Sequence, residues 1–465
     1  MLRDRYGVDE VFESLAPLVA QMEPELTQID RVLDDDEVHA MVRADLEGRY
    51  PKTTKTGRNS TPVEVILRML VVRRLYGLSF QQTEWYVNDS LVLRRFCRVY
   101  CQKVPDDTTL VRWERVIKPK TLEALNERLN AIAKSAKLTR ARKLRTDGSL
   151  VESNVHYPSD NSLLADGVRV LSRLIKRAKP LLEGCVEKAE EVFRDRTRSG
   201  KRLAREIGSH SRQGVERLKA GYERLLKVTA ASVRQAKAVL TSLGELGSSQ
   251  AEALAKRLGS FVGLVEQVID QTERRVLRAE QVPAGEKIVS LFEPHTRIIK
   301  RGKAGKDTEY GRKVWVDEVD GGFVSGWRVL EGNAADQSQW QPSLDHHVEQ
   351  FGKAPYQASA DRGVYSAENE RYALDLGVER VILPQPGYRS EERRLYEKQR
   401  WFRRGRRYHA GVEGRISVLK RKHGLDRCLN HGEEGFERWV GLGIIAANLA
   451  VMGRALAKRA QMQHS

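Results

Sequence analysis

Arg145-Thr146-Asp147-Gly148-Ser149-Leu150-Val151-Glu152 reads as a short strand with a carboxylate near its middle, set between two long helical stretches. Upstream, residues 1–140 look all-helical. Thr61-Pro62 offers a capping hydroxyl and a proline at the first helical position. Val63, Ile66, Leu67 and Leu70 then follow helical spacing until Gly77. Ser79 caps a second helix with Phe80, Trp85 and Tyr86 as its aromatic face, and a third short helix covers residues 91–100. Pro105-Asp106-Asp107-Thr108-Thr109 opens a fourth, running through Trp113 and Ile117. Downstream, Leu218, Tyr222, Leu225 and Thr229, and then Val265, Ile269, Thr272 and Val276, recur at four- and three-residue steps. That stripe packs helix on helix. The Arg- and Lys-rich residues 194–217, with Gly200, Gly208 and Gly214, predict a break between long helices.

From residue 288 the pattern changes again. Val314, Val316 and Val319 alternate, Asp320-Gly321-Gly322 signals a hairpin, and residues 323–330 return. A helix over 337–351 and a strand over 356–360 ending at Asp361 come next. Ser366 then caps a helix to residue 376, and a strand covers 378–384. A basic segment leads into helices over 412–422 and 436–457.

Composition narrows the function. Lys and Arg number 81 against 63 Asp and Glu, a net charge of +18. Such an excess points to a polyanion, nucleic acid first and an anionic membrane surface second. Hydrophobic residues at 40% supply a core, which excludes a disordered chain. Four cysteines cannot form a disulfide scaffold, and Cys97 and Cys101 lack a nearby second Cys/His pair for zinc. The first residues lack a signal-peptide core. The apolar run at 439–453 falls short of the ~20 residues of a membrane span, so it predicts a buried core helix. A cytoplasmic, reducing location and no membrane partner are the expectation. No phosphate-binding glycine loop is present, so ATP is not expected. Arg68, Arg73, Arg74, Arg94, Arg95 and Arg98 on the N-terminal helices suit a helix-turn-helix-like DNA-binding unit or, equally, a bundle with a solvated basic face.

With residues 163–287 set aside as a helical insertion, the element order is strand, strand, strand, helix, strand, helix, strand, helix. The fold class is α/β and multidomain, and that order is compatible with a ribonuclease H-like mixed sheet over 141–162 and 288–465, preceded by a helical region over 1–140. In such a topology acids at the ends of the first and fourth strands and on a late helix converge. Asp147, Asp361 and Glu413 hold those places. Three convergent carboxylates suit two hard Mg²⁺ ions, which take oxygen ligands and, roughly 3.5–4 Å apart, serve both oxygens of an in-line phosphoryl transfer. Asp147-Gly148 alone is weak, since Asp-Gly is an ordinary turn pair. Asp361 closes an apolar strand before a glycine. Glu413 is the one acid in residues 401–425, among Arg403, Arg404, Arg406, Arg407, Arg415, Lys420, Arg421 and Lys422. Either it is catalytic or it is a salt-bridged residue on a solvated basic face. Among rival acids, Asp317 and Asp320 read as turn or surface residues and Asp336 as a helix cap. Glu152 also lies in this region, and Asp160 competes with Asp147.

These pieces resemble bacterial insertion-sequence transposases of the DDE class, in particular the ISNCY type. The resemblance rests on Thr61-Pro62-Val63-Glu64-Val65-Ile66-Leu67-Arg68-Met69, on Val104-Pro105-Asp106-Asp107-Thr108-Thr109-Leu110 and on Val151-Glu152-Ser153-Asn154-Val155-His156-Tyr157-Pro158. It continues in Phe292-Glu293-Pro294-His295-Thr296, in Ala360-Asp361-Arg362-Gly363 and in Glu413-Gly414-Arg415-Ile416-Ser417-Val418-Leu419-Lys420. It implies Asp147, Asp361 and Glu413 as catalytic metal ligands, with Mg²⁺ or Mn²⁺ as two ions. Relatives carry a tyrosine and an arginine before the glutamate and a lysine seven residues after it. Lys420 fits the lysine; His409 holds the arginine slot and Arg406 the tyrosine slot, with Tyr408 nearby. Lys420 is the implied phosphate contact, and Arg415 a substitute for the missing arginine.

The resemblance further implies double-stranded DNA as partner, both terminal inverted repeats and target. A homodimer or higher oligomer, and a nucleoid-associated bacterial protein, follow from it. The expected reaction is metal-dependent hydrolysis at transposon ends and strand transfer. A transposase-derived DNA-binding regulator and a metal nuclease without strand transfer are the alternatives.

Overall fold

The computed structural model describes all residues except 50, 51, 53, 183–193, 211–213, 301–307, 333 and 465. In chain order its helices are α1 (Glu10–Val19), α2 (Pro24–Leu33), α3 (Asp36–Glu47), α4 (Val63–Leu75), α5 (Phe80–Asp89), α6 (Leu91–Phe96), α7 (Asp107–Glu114), α8 (Pro119–Ser135), α9 (Asp160–Leu182), α10 (Thr197–His210), α11 (Val215–Gly244), α12 (Ser249–Thr272), α13 (Trp340–Phe351), α14 (Ala367–Asp375), α15 (Glu391–Lys398), α16 (Arg400–His423) and α17 (Glu433–His464). The strands are β1 (Lys143–Ser153), β2 (Arg297–Lys300), β3 (Thr308–Val319), β4 (Phe323–Val329), β5 (Gln357–Ser359), β6 (Arg380–Ile382) and β7 (Arg427–Cys428). Contacts group the chain into two compact units, one of Met1–Glu152 with Arg312–Ser465 and one of Ser153–Gly311. The second unit begins ten residues before, and ends 24 after, the insertion expected over 163–287.

In the first unit, short polar caps start the N-terminal helices. Ser79 and Gln82 form a reciprocal capping box on α5, Ser90 caps α6 and Asp106 caps α7. Thr61 does not cap α4; Pro62 occupies the cap position and no side chain bonds there. Every α4 residue from Val63 to Arg74 is buried, so this helix is central rather than amphipathic. The expected solvated basic face is corrected for Arg68, Arg73 and Arg74, which are buried, while Arg94, Arg95 and Arg98 are half-buried. Arg68 is fully buried and bonds Asp30, Asp34 and Glu64. Arg73 pairs with Glu114 at 2.9 Å, and Arg98 with Asp30 and Asp34. Arg95 pairs with Glu13, and Arg94 bonds Asn88 and the carbonyls of Tyr100 and Gln102. A buried cation needs a partner, so these arginines tie helices together.

The sheet runs β2-β3-β1-β5-β6, with β4 on β3 and β7 on β1. β1, β5 and β6 are parallel neighbours, whereas β3 and β4 form an antiparallel hairpin through Gly321 and Gly322, both at positive φ. α17 packs against α2, α4, α8 and β4. By length and composition α17 could cross a membrane, but 72% of its most apolar 18-residue window is buried inside the fold. Asn448 on this helix bonds the backbone of Val324 and the Asn126 side chain of α8.

The second unit is a helical bundle with its own core. Leu171, Leu225, Leu258 and Val265 are among its buried residues, and the stripe from Tyr222 to Thr229 faces inward. The break predicted over 194–217 is largely a helix, α10, whose Gly200 lies against Val168; residues 211–213 of that stretch lie outside the described residues.

Candidate active site

Parallel pairing of β1 with β5 aligns Lys143 with Gln357, Leu144 with Ala358 and Arg145 with Ser359. Two residues further on, that register brings Asp147 level with Asp361. Side chains alternate along extended chain, so both acids fall on the face that carries Arg145. The third acid comes from α16, which lies over this face. Gly405 and Gly411 let the helix approach closely: a Cβ on Gly405 would collide with the Ile382 side chain, and one on Gly411 with the Arg145 guanidinium. Arg406, His409, Ala410 and Glu413, at i, i+3, i+4 and i+7, then form one helical stripe.

Asp147, Asp361 and Glu413 line one cleft of about 360 Å³, together with Ala360, Arg362, Gly363, Ile382, Pro384, Arg406, His409, Ala410 and Val412. Burial, and next the like charge of Asp361, push the Asp147 carboxyl up to about 6; the Gly148 amide and His409 oppose the shift. That amide donates to Asp147 Oδ1 at 2.7 Å. Gly148 is part of β1, so Asp147-Gly148 is no turn here. A hydrogen bond from His409 holds the Asp361 carboxyl below its usual range. His409 Nε2 and Asp361 Oδ1 are 3.0 Å apart. His409 was noted in the sequence only as occupying another residue's slot. Its position one turn before Glu413 is the signal that puts it on the cleft face.

The basic residues divide. Arg403, Arg404, Arg406, Arg407, Arg421 and Lys422 are exposed on α16, and Lys420 is half-buried. Arg415 turns inward, contacting Glu318 at 3.5 Å and the Gly322 carbonyl. Most rival acids are engaged elsewhere, but Asp336 borders the cleft: its Oδ2 lies 3.6 Å from where a Cβ on Gly363 would sit, and its charge adds to the rise of Asp147. Asp317 is buried, not a surface residue, accepting from Thr146 at 2.7 Å and pairing with Arg328. Asp320 accepts the backbone amides of Arg140, Arg142 and Lys143. Asp336 pairs with Lys313 and is not a cap, since Ala335 precedes its turn. Glu152 pairs with Arg427, and Asp160, in the second unit, with Arg275.

Two family models match the chain: a transposase domain (DUF772) over residues 13–115 and a transposase DDE domain over residues 377–453. Both matches support an insertion-sequence DDE transposase. No curated protein and no solved structure matches. The DDE match spans β6, α15, α16 and much of α17, and thus includes Glu413 of the transposase; Asp147 and Asp361 lie outside it.

Enzymes of this class normally use a divalent metal. Among the described residues of the transposase, no three His, Cys, Asp or Glu side chains are grouped to hold an ion. The donor chemistry nonetheless fits a hard cation. The cleft offers carboxylate oxygens, and Asp147, raised first by burial and next by the charge of Asp361, is an anion that a nearby cation would favour.

Proposed function

We propose that this transposase hydrolyses phosphodiester bonds at transposon ends and joins the freed 3′-hydroxyl to target DNA, with Asp147, Asp361 and Glu413 as its metal ligands. The observation that carries the reading is the cleft itself: acids from β1, from the end of β5 and from α16 line one cavity beside exposed arginines. The strand order β4-β3-β1-β5-β6, with β1, β5 and β6 parallel, supports a ribonuclease H-like sheet.

Bound Mg²⁺ or Mn²⁺ would supply Lewis-acid activation of the attacking oxygen and charge stabilisation of the leaving one. The chain's residues do the rest. Asp147 and Asp361 would supply the carboxylates that hold the metal from the sheet, and Glu413 would add a third from the helix. His409 fixes the rotamer of Asp361. Arg406, in the cleft wall, faces the scissile phosphate, while Arg403, Arg404, Arg407, Lys420, Arg421 and Lys422 hold the flanking backbone. Two such chains would bring two DNA ends together, in the bacterial cytoplasm where the nucleoid lies.

An end-cleavage and strand-transfer assay with Mg²⁺ tests this. Asp147→Ala, Asp361→Ala and Glu413→Ala each reduce both steps to background while DNA binding persists. Full activity in Glu413→Ala would defeat the assignment.

A further inference from the structure

Glu318 on β3 is 1% exposed and is gripped by two arginines. Arg145 makes a bidentate pair with it, Nε and Nη2 each donating at 2.7 Å. Arg415 Nε lies 3.5 Å from the same carboxylate, and its Nη2 donates to the Gly322 carbonyl beyond β3. Arg145 also donates through Nη1 to the Tyr408 carbonyl at 2.6 Å and stacks over the Tyr408 ring at 4.7 Å. Its guanidinium fills the space that Gly411 leaves open.

The placement matters as much as the bonds. Arg145 is two residues before Asp147 on the same strand face. Arg415 is two residues after Glu413, and Tyr408 adjoins His409. One buried carboxylate thus connects the strand that carries the first acid to the helix that carries the third. Planar guanidinium forks hold such a geometry more rigidly than a lysine could.

We propose that Glu318 is a positioning residue that sets the spacing of Asp147 and Glu413 through Arg145 and Arg415, and that Arg415 serves this bridge rather than a DNA phosphate. The inference rests on the metal-site reading above. Outer partners of metal ligands typically change metal affinity 10–100-fold when removed.

The test uses the full chain and Mn²⁺ as probe, with free Mn²⁺ read by electron paramagnetic resonance. The variants are Glu318→Gln, Arg415→Lys, Arg415→Gln and, as reference, Asp147→Asn. Melting curves check that each is folded. Arg415→Lys keeps the charge and the Arg145–Glu318 pair, so it remains informative if Glu318→Gln fails to fold. Mn²⁺ affinity should fall about 10-fold or more in Arg415→Lys, and at least as far in folded Glu318→Gln. Affinity for duplex DNA and its salt slope should stay at wild-type values in Arg415→Lys. Unchanged Mn²⁺ affinity in Arg415→Lys overturns the proposal. A salt slope reduced by about one unit in Arg415→Gln, which removes the charge that the lysine variant keeps, restores Arg415 as a phosphate contact and overturns it too. Wild-type Mn²⁺ binding that is indifferent to Asp147→Asn defeats the underlying metal site and the proposal together.

Discussion

His409 Nε2 sits 3.0 Å from Asp361 Oδ1, joining α16 to the end of β5 across the acidic cleft. Asp361 is otherwise an exposed side chain, 69% accessible, on a short turn. Without His409 it gains rotamers and must be ordered at each turnover. His409→Ala should therefore lower end cleavage about 10–100-fold, with His409→Asn retaining more activity than the alanine variant. Cleavage rates at saturating DNA and metal check this; equal loss in both variants would count against a hydrogen-bonding role.

Asp147 carries a stability cost whose sign is fixed by its environment. Its carboxyl rises from 3.8 to about 6 because the buried, Asp361-facing anion is disfavoured. The stabilisation from protonation is complete below the unfolded value and is lost as pH rises through about 6. Asp147→Asn should thus be inactive yet more stable at pH 7, by on the order of 1–3 kcal/mol, with the gain shrinking towards pH 4. Denaturation at several pH values without metal shows it. Adding Mg²⁺ should raise the wild-type melting temperature and leave that of Asp147→Asn nearly unchanged.

His347 acts in the opposite direction. It is fully buried on α13 against Phe351, and burial lowers its pKa from 6.5 to about 4. The unfolded chain binds the proton first, so stability falls as pH drops from 6.5 to about 4. The loss amounts to up to about 3 kcal/mol. His347→Phe should flatten that acid limb, as urea midpoints between pH 7 and 4 would record.

Gly405 offers a test by rescue. Alanine normally favours a helix by ~1 kcal/mol over glycine. At Gly405 the added methyl meets Ile382, so Gly405→Ala should lower both stability and cleavage instead. Pairing it with Ile382→Ala should recover part of the cleavage rate. Failure of the double variant to exceed the single one would show that the helix does not lean on that strand residue.

Arginines should separate by burial. Arg404→Ala and Arg407→Ala, on the exposed face of α16, should each reduce the salt slope of DNA binding by about one unit with little change in melting temperature. Arg68→Ala removes the fully buried cation that Asp30, Asp34 and Glu64 share with Arg98 and should destabilise by about 3–5 kcal/mol.

What the sequence made legible follows the range of the chemistry involved. Caps at Ser79, Ser366 and Asp106 and the hairpin at Gly321 and Gly322 are local, and all of them form. The burial of Arg68 depends on Asp30 and Asp34, more than thirty residues away, so its positive charge reads as surface. The helix expected over 412–422 begins at Arg400, and the basic segment before it is helical with Gly405 and Gly411 pressed against Ile382 and Arg145, surfaces that only the fold supplies. Asp317 reads as a turn residue for a similar reason. Only the fold brings Thr146 and Arg328 to it.

Asp147 and Asp361, which line one cleft, are 214 residues apart in the chain, and Glu413 arrives 52 later. A ribosome making this protein therefore completes the N-terminal helices and the first acid long before the partner strand exists. On the proposed metal-site assignment, the cleft stays incomplete until Glu413 emerges. Any truncation before that point yields a product unable to assemble the acidic cleft.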